Sequence, residues 1–567
     1  MEVRVSVGDK FRLAAKALGH KVTQYRLSTG RTKVLETKCG KVKGMERKTF
    51  YDGESYYSFE GIPYAKPPIG ELRFRAPQPA EPWQGVKDCT HTRSQPLQRN
   101  AILNTVEGSE DCLYINVYAK QLESPQPLPV MVWIFGGGFQ IGGATRDIYG
   151  PDYFMKHNVL LVTFNYRLGA LGFLSLKDPE LQVPGNAGLK DQVLALRWVR
   201  DHIASFNGDV NNITLMGESA GAASANILMH TEQTRGLFHR AIVQSGSALC
   251  EWATQPNRNA PQRLAKRLGY KHSEKDSDAD LLQFLRTASG HQLAQHCNEI
   301  VSQEEHRNYE IIAFGPVVEP YVAEDCVVPR PQLELLASAW GNELPLIIGG
   351  TSFEGLFSYQ STLQDKEYML SAFEPLLPKP VRDTIDAKEM QEQLERLKLA
   401  YFEDVKRDSM ELFECLRVLS VKNFWHGIHR TLLARAAYAP STPTYLYRFD
   451  MDSPHFNHYR MLKCGRQVRG VCHADDLSYM FYMLLSSKLD KSTPEYRTIE
   501  RLIGMWTAFA TNGNPNCQHT ESAQWEPLRP GGSELCLNIS EQLEFKLLPE
   551  SKEFVVWDSF YTRESLY

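Results

Sequence analysis

The sequence predicts an α/β fold, in which helices cover both faces of a large, mostly parallel β-sheet. Apolar runs of strand length, rich in β-branched and aromatic residues, recur at 129–135, 158–166, 213–217, 240–246 and 344–350. Helical patterns such as 189–206 lie between these runs. Wholly apolar strands that alternate with helices are typical of parallel sheets buried on both faces. Ligands of such sheets bind at the carboxyl ends of the strands.

Two further segments complete the predicted domain organisation. Residues 32–45 favour two short strands joined by a turn near Gly40. Residues 360–420 are more polar and helical, which indicates an insertion or a cap. No linker, repeat or low-complexity stretch divides the chain. We therefore expect residues 31–567 to form one domain, preceded by a basic amphipathic segment at residues 1–30.

Composition and charge exclude several classes of protein. Hydrophobic residues make up 42% of the chain and charged residues 23%, which is ordinary for a globular protein with a sizeable core. The net charge is −4, so a nucleic-acid partner is not expected. The eleven cysteines are scattered, without a CxxC pair or metal-ligand spacing, so we predict no metal and no cofactor.

The location that these features predict is intracellular. Charges interrupt the apolar stretches near the N-terminus, so no signal-peptide core is recognised. The sequence contains no apolar run of the roughly 18 residues that a membrane-spanning helix needs. A reducing compartment would suit an odd number of cysteines. The glycosylation sequons at Asn212 and Asn538 are accordingly interpreted as coincidental.

The N-terminal segment has the pattern of a basic amphipathic helix. Its apolar residues recur at helical spacing, and Lys and Arg fill much of the rest of residues 10–26; the apolar set is Phe11, Ala14, Ala15, Leu18, Val22 and Tyr25. No acidic residue occurs from Lys10 through Leu35. One interpretation is peripheral contact with an anionic membrane surface. The other is a helix packed on the protein body with its basic face in solvent.

A candidate nucleophile lies in the run Gly217-Glu218-Ser219-Ala220-Gly221. The apolar run ITLM precedes it, and the helical pattern AASANILMH follows it. Strand, tight turn and helix form the context of a nucleophile elbow, in which flanking glycines leave room for a strained serine. An ordinary glycine-rich turn would look similar, so the motif alone does not decide between them.

A second glycine element, Gly136-Gly137-Gly138, follows the apolar run at 129–135. Acyl transfer develops an oxyanion that needs aimed N–H donors, and glycine allows the backbone to approach it closely. The order of the two elements matches the oxyanion loop of lipases and esterases. We assign the donors as the N–H groups of Gly137, Gly138 and Ala220. A phosphate-binding P-loop is excluded, because no Lys-Ser/Thr follows the glycines.

A reactive serine also needs a general base and an orienting carboxylate. In this kind of fold the acid follows the serine along the chain and the histidine comes last. Most of the histidines follow Ser219, so chain order alone does not choose the base. His473, in the loop RGVCHADD, and Glu354, after the apolar strand LIIGGTSF, are the favoured candidates. His426 and His429 lie in a helical pattern and are interpreted as surface or core residues.

Several longer segments make the chain resemble the type-B carboxylesterase and cholinesterase family, and within it the insect alpha-esterases. They include FEGIPYAKPPIGELRF (59–74), GSEDCLYINVY (108–118), NYRLGALGFL (165–174), PGNAGLKDQ (184–192), GESAGAAS (217–224), GLFHRAIVQSG (236–246), GTSFEG (350–355) and HADDL (473–477). The resemblance implies an α/β-hydrolase fold with a deep gorge, formed by inserted helices, that leads to the serine.

Carried over by position, the resemblance implies a triad of Ser219, Glu354 and His473, and an oxyanion hole of Gly137, Gly138 and Ala220. Glu218 and Ser245 would support the triad without reacting. The pocket-lining positions of the alpha-esterases fall on Trp252, Ile312, Phe314, Phe424 and Tyr459. The alternative interpretation of each of these five residues is ordinary core packing.

Three departures from the family pattern qualify the resemblance. Phe135 stands where carboxylesterases usually have histidine. Ile102 stands where cholinesterases have the tryptophan that stacks on choline, which argues against choline esters. Cys112 is the family's disulfide cysteine, but its only nearby partner, Cys89, lies several residues out of place, so we do not expect a disulfide.

The predicted function is hydrolysis of small, apolar carboxylic esters, xenobiotic or lipid-like, through an acyl-enzyme that organophosphates would block. One alternative is an esterase or lipase dedicated to a single lipid or hormone, which the basic N-terminal helix keeps open. Another is a non-catalytic adhesion protein on the same fold. That alternative is disfavoured because all three triad residues are present. The sequence does not decide the oligomeric state.

Overall fold

A twelve-stranded sheet is the central feature of the computed structural model, which describes residues 7–100, 104–271 and 276–567, with side chains from residue 15 onward. The strands of this sheet and of two small sheets are β1 (Ser28–Arg31), β2 (Leu35–Thr37), β3 (Gly40–Lys43), β4 (Met45–Lys48), β5 (Ser55–Pro63), β6 (Val86–Asp88), β7 (Gln98–Arg99), β8 (Val106–Glu107), β9 (Tyr114–Ala119), β10 (Leu128–Ile134), β11 (Leu160–Phe164), β12 (Gly208–Glu218), β13 (Arg240–Gln244), β14 (Leu346–Thr351), β15 (Thr444–Phe449), β16 (Leu535–Ile539) and β17 (Leu543–Leu547).

The strand order in the large sheet is β1-β4-β5-β9-β11-β10-β12-β13-β14-β15-β16-β17. Every pairing from β11 across to β16 is parallel, whereas the strands beyond β11 and β16 pair antiparallel. All residues of β11 and β14 are buried, as expected for strands covered on both faces. The predicted parallel sheet is confirmed, and its five predicted apolar runs correspond to β10 through β14.

Helices surround the sheet, as predicted. They are α1 (Val7–Arg26), α2 (Gly169–Phe173), α3 (Ala187–His202), α4 (Ala220–His230), α5 (Ala260–Arg267), α6 (Asp278–Thr287), α7 (Gly290–His296), α8 (Gln303–Arg307), α9 (Gln332–Leu335), α10 (Tyr359–Gln364), α11 (Lys366–Ser371), α12 (Lys379–Arg382), α13 (Ala387–Phe402), α14 (Leu412–Ser420), α15 (His426–Tyr438), α16 (His458–Cys464), α17 (Leu477–Met480), α18 (Pro494–Asn512), α19 (Ser551–Asp558) and α20 (Arg563–Leu566). The predicted helix at 189–206 is α3 followed by a 3-10 turn, Ile203–Phe206.

The polar segment 360–420 is helical, as its pattern predicts, and it lies in the long connection between β14 and β15. Helices α10 to α14 make up this segment, and α15 completes the connection. A single turn of π-helix, Val421–Trp425, joins α14 to α15. The strands expected around Gly40 are β2 and β3, which pair antiparallel in a separate small sheet.

Helix α1 packs on the protein body through polar side chains. The His20 ring stacks on Tyr482 with the centroids 5.2 Å apart, and Arg146 Nη1 donates to Gln24 Oε1 at 2.5 Å. Burial lowers the pKa of His20. The side chains of Phe11 and Ala14 lie outside the described residues. Among the helices described here, none is both long enough and apolar enough to cross a membrane.

Candidate active site

The site lies where the carboxyl ends of β10, β12, β13 and β14 meet. In the sheet register Ile134 pairs with Gly217, Glu218 with Gln244, and Gln244 with Gly349. The loops that follow these strands therefore emerge side by side, as expected for ligand sites on parallel sheets. They carry the predicted glycine run, nucleophile and acid.

Ser219 lies at the sharp turn between β12 and α4. Its backbone has φ 59° and ψ −123°, a strained conformation that costs about 1–3 kcal/mol and persists only where its surroundings enforce it. A Cβ at Gly221 would lie 2.1 Å from the Ile134 carbonyl oxygen, and one at Gly217 would lie 2.4 Å from Gly221. Both glycines are thus required by close backbone approach, which is the geometry of a nucleophile elbow.

The glycine loop lies directly against this turn. A Cβ at Gly136 would meet Ser219 Cβ at 3.0 Å, and one at Gly137 would meet the Ile141 carbonyl oxygen at 2.0 Å. Gly137 and Gly138 have φ angles of 114° and 61°. Within the described residues, neither of their N–H groups donates a hydrogen bond. These donors are therefore available beside Ser219, close to the N-terminus of α4.

His473 and Glu354 form a buried pair. His473 Nδ1 lies 2.6 Å from Glu354 Oε2. The other carboxylate oxygen, Oε1, accepts from Ser245 Oγ at 2.6 Å and from the Thr351 N–H at 2.7 Å. Glu354 is thereby fixed through both of its oxygens, and Ser245, one of the predicted supporting residues, holds the oxygen that does not face His473.

The second ring nitrogen of His473 faces a different carboxyl group. Nε2 lies 3.1 Å from Glu218 Oε1, and in the described part of the chain no hydrogen bond joins it to Ser219 Oγ. Burial disfavours the imidazolium of His473, but Glu218 and Glu354 outweigh that effect, and the pKa of His473 is raised. Burial raises the pKa of Glu218 above its usual range, and the neighbouring His473 opposes that rise.

Asp476 adds a further buried carboxyl group near His473. Burial raises its pKa to about 6, while Gln244 Nε2 donates to its Oδ2 at 2.8 Å. Trp506 Nε1 in turn donates to Gln244 Oε1 at 3.2 Å. Sequence reasoning missed this network. The acidic pair after His473 in HADD was its only visible signal, because Gln244 and Trp506 are distant in the chain.

Two of the five predicted pocket residues lie close to His473 and Ser219. The Phe424 ring centroid is 4.4 Å from that of His473, and Trp252 is 6.1 Å from Phe424. A Cβ at Gly246 would be 3.2 Å from Trp252 and 2.8 Å from the Ser219 carbonyl oxygen. Phe357, which was not predicted, packs edge-on to His473 at 5.2 Å.

The other three pocket candidates are Ile312, Phe314 and Tyr459. Gln140, just after the glycine loop, donates to the Phe314 carbonyl oxygen, and Arg258 Nη2 donates to that of Ile312 at 2.6 Å. Tyr459 is half-buried, and its pKa is raised by burial and by Glu218. Phe314 therefore lies beside the end of the glycine loop, and a Cβ at Gly315 would be 3.1 Å from Ile312 and 3.5 Å from Phe139.

The three departures from the family pattern have different outcomes. Phe135 is buried in an apolar stack with Tyr166, at 4.4 Å between ring centroids, and Tyr166 OH donates to the Phe135 carbonyl oxygen at 2.9 Å. The phenylalanine therefore anchors the start of the glycine loop. Cys89 and Cys112 are free thiols. Ile102 lies outside the described residues.

The histidines that were set aside lie away from the site. His429 bridges Glu534 at 2.5 Å and Asp558 at 3.0 Å, and His426 contacts the same Asp558 at 3.1 Å. These contacts tie α15 to α19 and leave His426 and His429 in a structural role. Among the described residues, no cluster of three or more His, Cys, Asp or Glu side chains is arranged to hold a metal ion.

Comparisons with known proteins show which family the chain belongs to. The model of the carboxylesterase family matches residues 31–557. Esterase B1 of Culex pipiens is 38% identical over 94% of this chain and 99% of its own length, and juvenile hormone esterase of Tribolium castaneum is 33% identical over 89% and 88%. The crystal structure of juvenile hormone esterase from Manduca sexta, with OTFP covalently attached, aligns with a TM-score of 0.81 at 28% identity, covering 93% of this chain and 99% of that one. The chain therefore belongs to the carboxylesterase family and is a carboxylic ester hydrolase with the α/β-hydrolase fold.

Proposed function

We propose that this hydrolase cleaves apolar esters through an acyl-enzyme on Ser219, with His473 as the general base and Glu354 as its orienting carboxylate. The observation that carries the proposal is the 2.6 Å Glu354–His473 pair beside the strained Ser219 turn. The N–H groups of Gly137, Gly138 and Ala220 would stabilise the oxyanion.

The proposed reaction has two halves. His473 Nε2 turns from Glu218 to Ser219 and takes the Oγ proton as Oγ attacks the ester carbonyl carbon. The tetrahedral intermediate collapses, and the alcohol leaves with the proton from His473. Water then gives a proton to His473 and attacks the acyl carbon. Release of the carboxylic acid returns that proton to Ser219 Oγ.

Covalent labelling tests this assignment. A fluorophosphonate probe places a tetrahedral phosphorus where the intermediate forms, so we expect one probe per chain, attached to the peptide that contains Ser219. Digestion and mass spectrometry would locate the adduct. Pre-treatment with an organophosphate should block labelling. An adduct on any other residue would refute the assignment.

The substrate class we propose is small apolar esters, because the aromatic side chains of Phe424, Phe357 and Trp252 surround His473 and the Ser219 turn. A narrower preference for one lipid-like ester is the second candidate, and it is supported by two relatives that are named juvenile hormone esterases. Rates for p-nitrophenyl esters from acetyl to palmitoyl separate the two. A broad profile supports the general carboxylesterase, whereas a sharp optimum at one long acyl chain supports the dedicated enzyme.

The oxyanion loop gives a specific prediction for Gly138→Asp. Among the described residues, no atom lies within 4 Å of a Cβ built at Gly138, so space is available there, although the φ of 61° strains any residue other than glycine. The new carboxylate would oppose the developing negative charge, and we expect kcat for short esters to fall about 100- to 1,000-fold. Steady-state kinetics of Gly138→Asp and Gly138→Ala should be compared, because the alanine variant has the same backbone strain but no charge. Equal activity of the two variants would contradict this assignment of the donors.

The pKa of His473 predicts the pH profile. The base must be neutral to accept a proton, and its pKa is raised above the ordinary 6.5. We therefore expect kcat/KM to rise with pH through a midpoint above 6.5 and to be lost below it. Glu218→Gln removes a carboxylate that favours the imidazolium, so its midpoint should move to lower pH. An unchanged midpoint would exclude Glu218 from setting this pKa.

We also propose that the outward face of α1 contacts an anionic lipid surface. Leu18, Val22 and Tyr25 lie on one stripe and are 67%, 43% and 83% exposed, with Lys21 and Arg26 also exposed. Sedimentation with vesicles of phosphatidylserine and phosphatidylcholine should show binding that weakens with salt. The double variant Leu18→Ser/Val22→Ser should bind less, whereas Leu399→Ser, at a leucine that is 59% exposed elsewhere, should bind as the parent does. Equal binding by all three proteins would refute the proposal.

The compartment we propose is a reducing, intracellular one, supported by the eleven cysteines, all of which are free thiols. Denaturing the native enzyme in iodoacetamide without reductant tests this proposal. Eleven alkylated cysteines are expected, and any disulfide-linked peptide would count against it.

A further inference from the structure

Lys422 is a buried cation near Phe424 and His473, and the proposed reaction does not use it. Its side chain is 3% exposed, and its Nζ donates to Glu251 Oε2 at 2.7 Å and to the Leu377 carbonyl oxygen at 3.2 Å. A buried ion pair is weak evidence for stability, because apolar residues of the same volume often stabilise as well. The position of the pair between three segments of the chain points to a different role.

One partner of this pair belongs to the π-helical turn. Lys422 lies two residues before Phe424, within Val421–Trp425. Single π-helical turns inside α-helices occur frequently at functional sites. Here the turn directs Phe424 to 4.4 Å from His473, while Trp425 Nε1 donates to the Thr351 carbonyl oxygen at 3.0 Å.

The other partner of the ion pair, Glu251, belongs to the segment that carries Trp252. Glu251 directly precedes Trp252, whose Nε1 donates to the Asn423 carbonyl oxygen at 2.6 Å. Polar contacts therefore join the segment that carries Trp252 to the segment that carries Phe424, and Cys250 Sγ also lies 3.8 Å from the Phe424 carbonyl oxygen. The two contacts closest to Trp252 are the ion pair and this indole hydrogen bond, and neither involves the reacting groups.

We propose that the Lys422–Glu251 ion pair is a size-selecting clamp. By fixing Trp252 against Phe424, it limits the bulk of the acyl group that the enzyme accepts beside Ser219. Lys422 and Glu251 are positioning residues that act through the two rings and touch no substrate. This inference rests on the proposed acyl-enzyme at Ser219.

Loss of the clamp should widen the substrate range. Lys422→Met keeps most of the length of the side chain but removes the charge, so the segment with Trp252 can move away from Phe424. We expect the ratio of kcat/KM for a branched ester, p-nitrophenyl trimethylacetate, to that for p-nitrophenyl acetate to rise about 10-fold, the effect of roughly one methylene in an apolar pocket. The change should come through KM for the branched ester, with kcat for the acetate nearly unchanged.

Two further variants separate positioning from a loss of stability. Lys422→Arg should restore the parental ratio, as should the exchange Lys422→Glu/Glu251→Lys. Lys190→Met is the matched control. That lysine is also 3% exposed and pairs with Glu319 at 3.0 Å, but it lies on α3. This control should lower the unfolding temperature without changing the ester ratio.

The outcomes distinguish this inference from the proposed function. Fluorophosphonate labelling at Ser219 tests the function in the parent enzyme. If Ser219 is labelled but the ratio in folded Lys422→Met equals the parental ratio, the clamp is refuted. Should Lys422→Met not fold, Glu251→Gln decides, because it removes the charge while keeping the volume. A parental ratio in Glu251→Gln would then overturn the inference.

Discussion

Ser219→Ala is expected to lower kcat for short-chain esters on the order of 10⁶-fold and to abolish fluorophosphonate labelling. No other group in the proposed reaction can form the covalent intermediate, and residual turnover would come only from binding and the oxyanion donors. Alanine keeps the Cβ of serine, so the strain at φ 59° is unchanged and the turn should fold as before. Turnover and intact mass after probe treatment are the measurements.

Ser224→Ala is the matched control for this variant. Ser224 lies on α4 one turn beyond Ser219, is fully buried, and accepts from Gln192 Nε2 at 3.1 Å. Its loss removes a buried hydroxyl from the same helix without touching the proposed nucleophile. Near-parental labelling is expected for the control. Labelling of Ser219→Ala at the parental rate would exclude Ser219 as the nucleophile.

The parts of the site that sequence predicts well depend on local constraints. Gly217 and Gly221 are required because a Cβ at either position would lie within 2.4 Å of the backbone. Such crowding arises within one strand–turn–helix unit, so a short motif in the right context carries it. The parallel strands can also be predicted from local sequence, because burial on both faces forces each strand to be apolar along its length.

The pairing of His473 with Glu354 could not be predicted from local sequence. These residues are far apart in the chain, and chain order admits most of the other histidines. Only the resemblance to a known family selected them from the sequence. The contact of Nε2 with Glu218 could not be predicted at all. It depends on the direction that the strained turn gives a side chain adjacent to Ser219.

The orientation of the N-terminal helix on the protein also could not be predicted from local sequence. Apolar periodicity predicts a helix but not the face that docks on the protein. The structure buries the polar residues His20 and Gln24, because Tyr482 and Arg146 offer them a ring and a guanidinium. Those partners come from distant segments. Leu18 and Val22 are consequently left outward, where helix amphipathicity alone would have buried them.

Glu354→Gln is expected to lower kcat about 10⁴-fold while leaving the fold intact. The two donors on Oε1, Ser245 Oγ and the Thr351 N–H, determine which way the new amide points. Its oxygen must stay with them, so its NH₂ group faces Nδ1 of the histidine. Nδ1 then has to accept, and the ring proton moves to Nε2. In that tautomer His473 cannot take the proton of Ser219.

Two comparisons check that the tautomer is responsible for this loss. Glu354→Asp keeps a carboxylate and should retain more activity than Glu354→Gln, although the side chain is shorter. Glu218→Gln also removes a carboxyl group from His473, but on the Nε2 side, so it should keep Nδ1–H and lose far less activity. Nitrogen-detected NMR of the imidazole would report the tautomer directly. A protonated Nδ1 in Glu354→Gln, or equal losses in the two glutamine variants, would show that Glu354 does not orient the base.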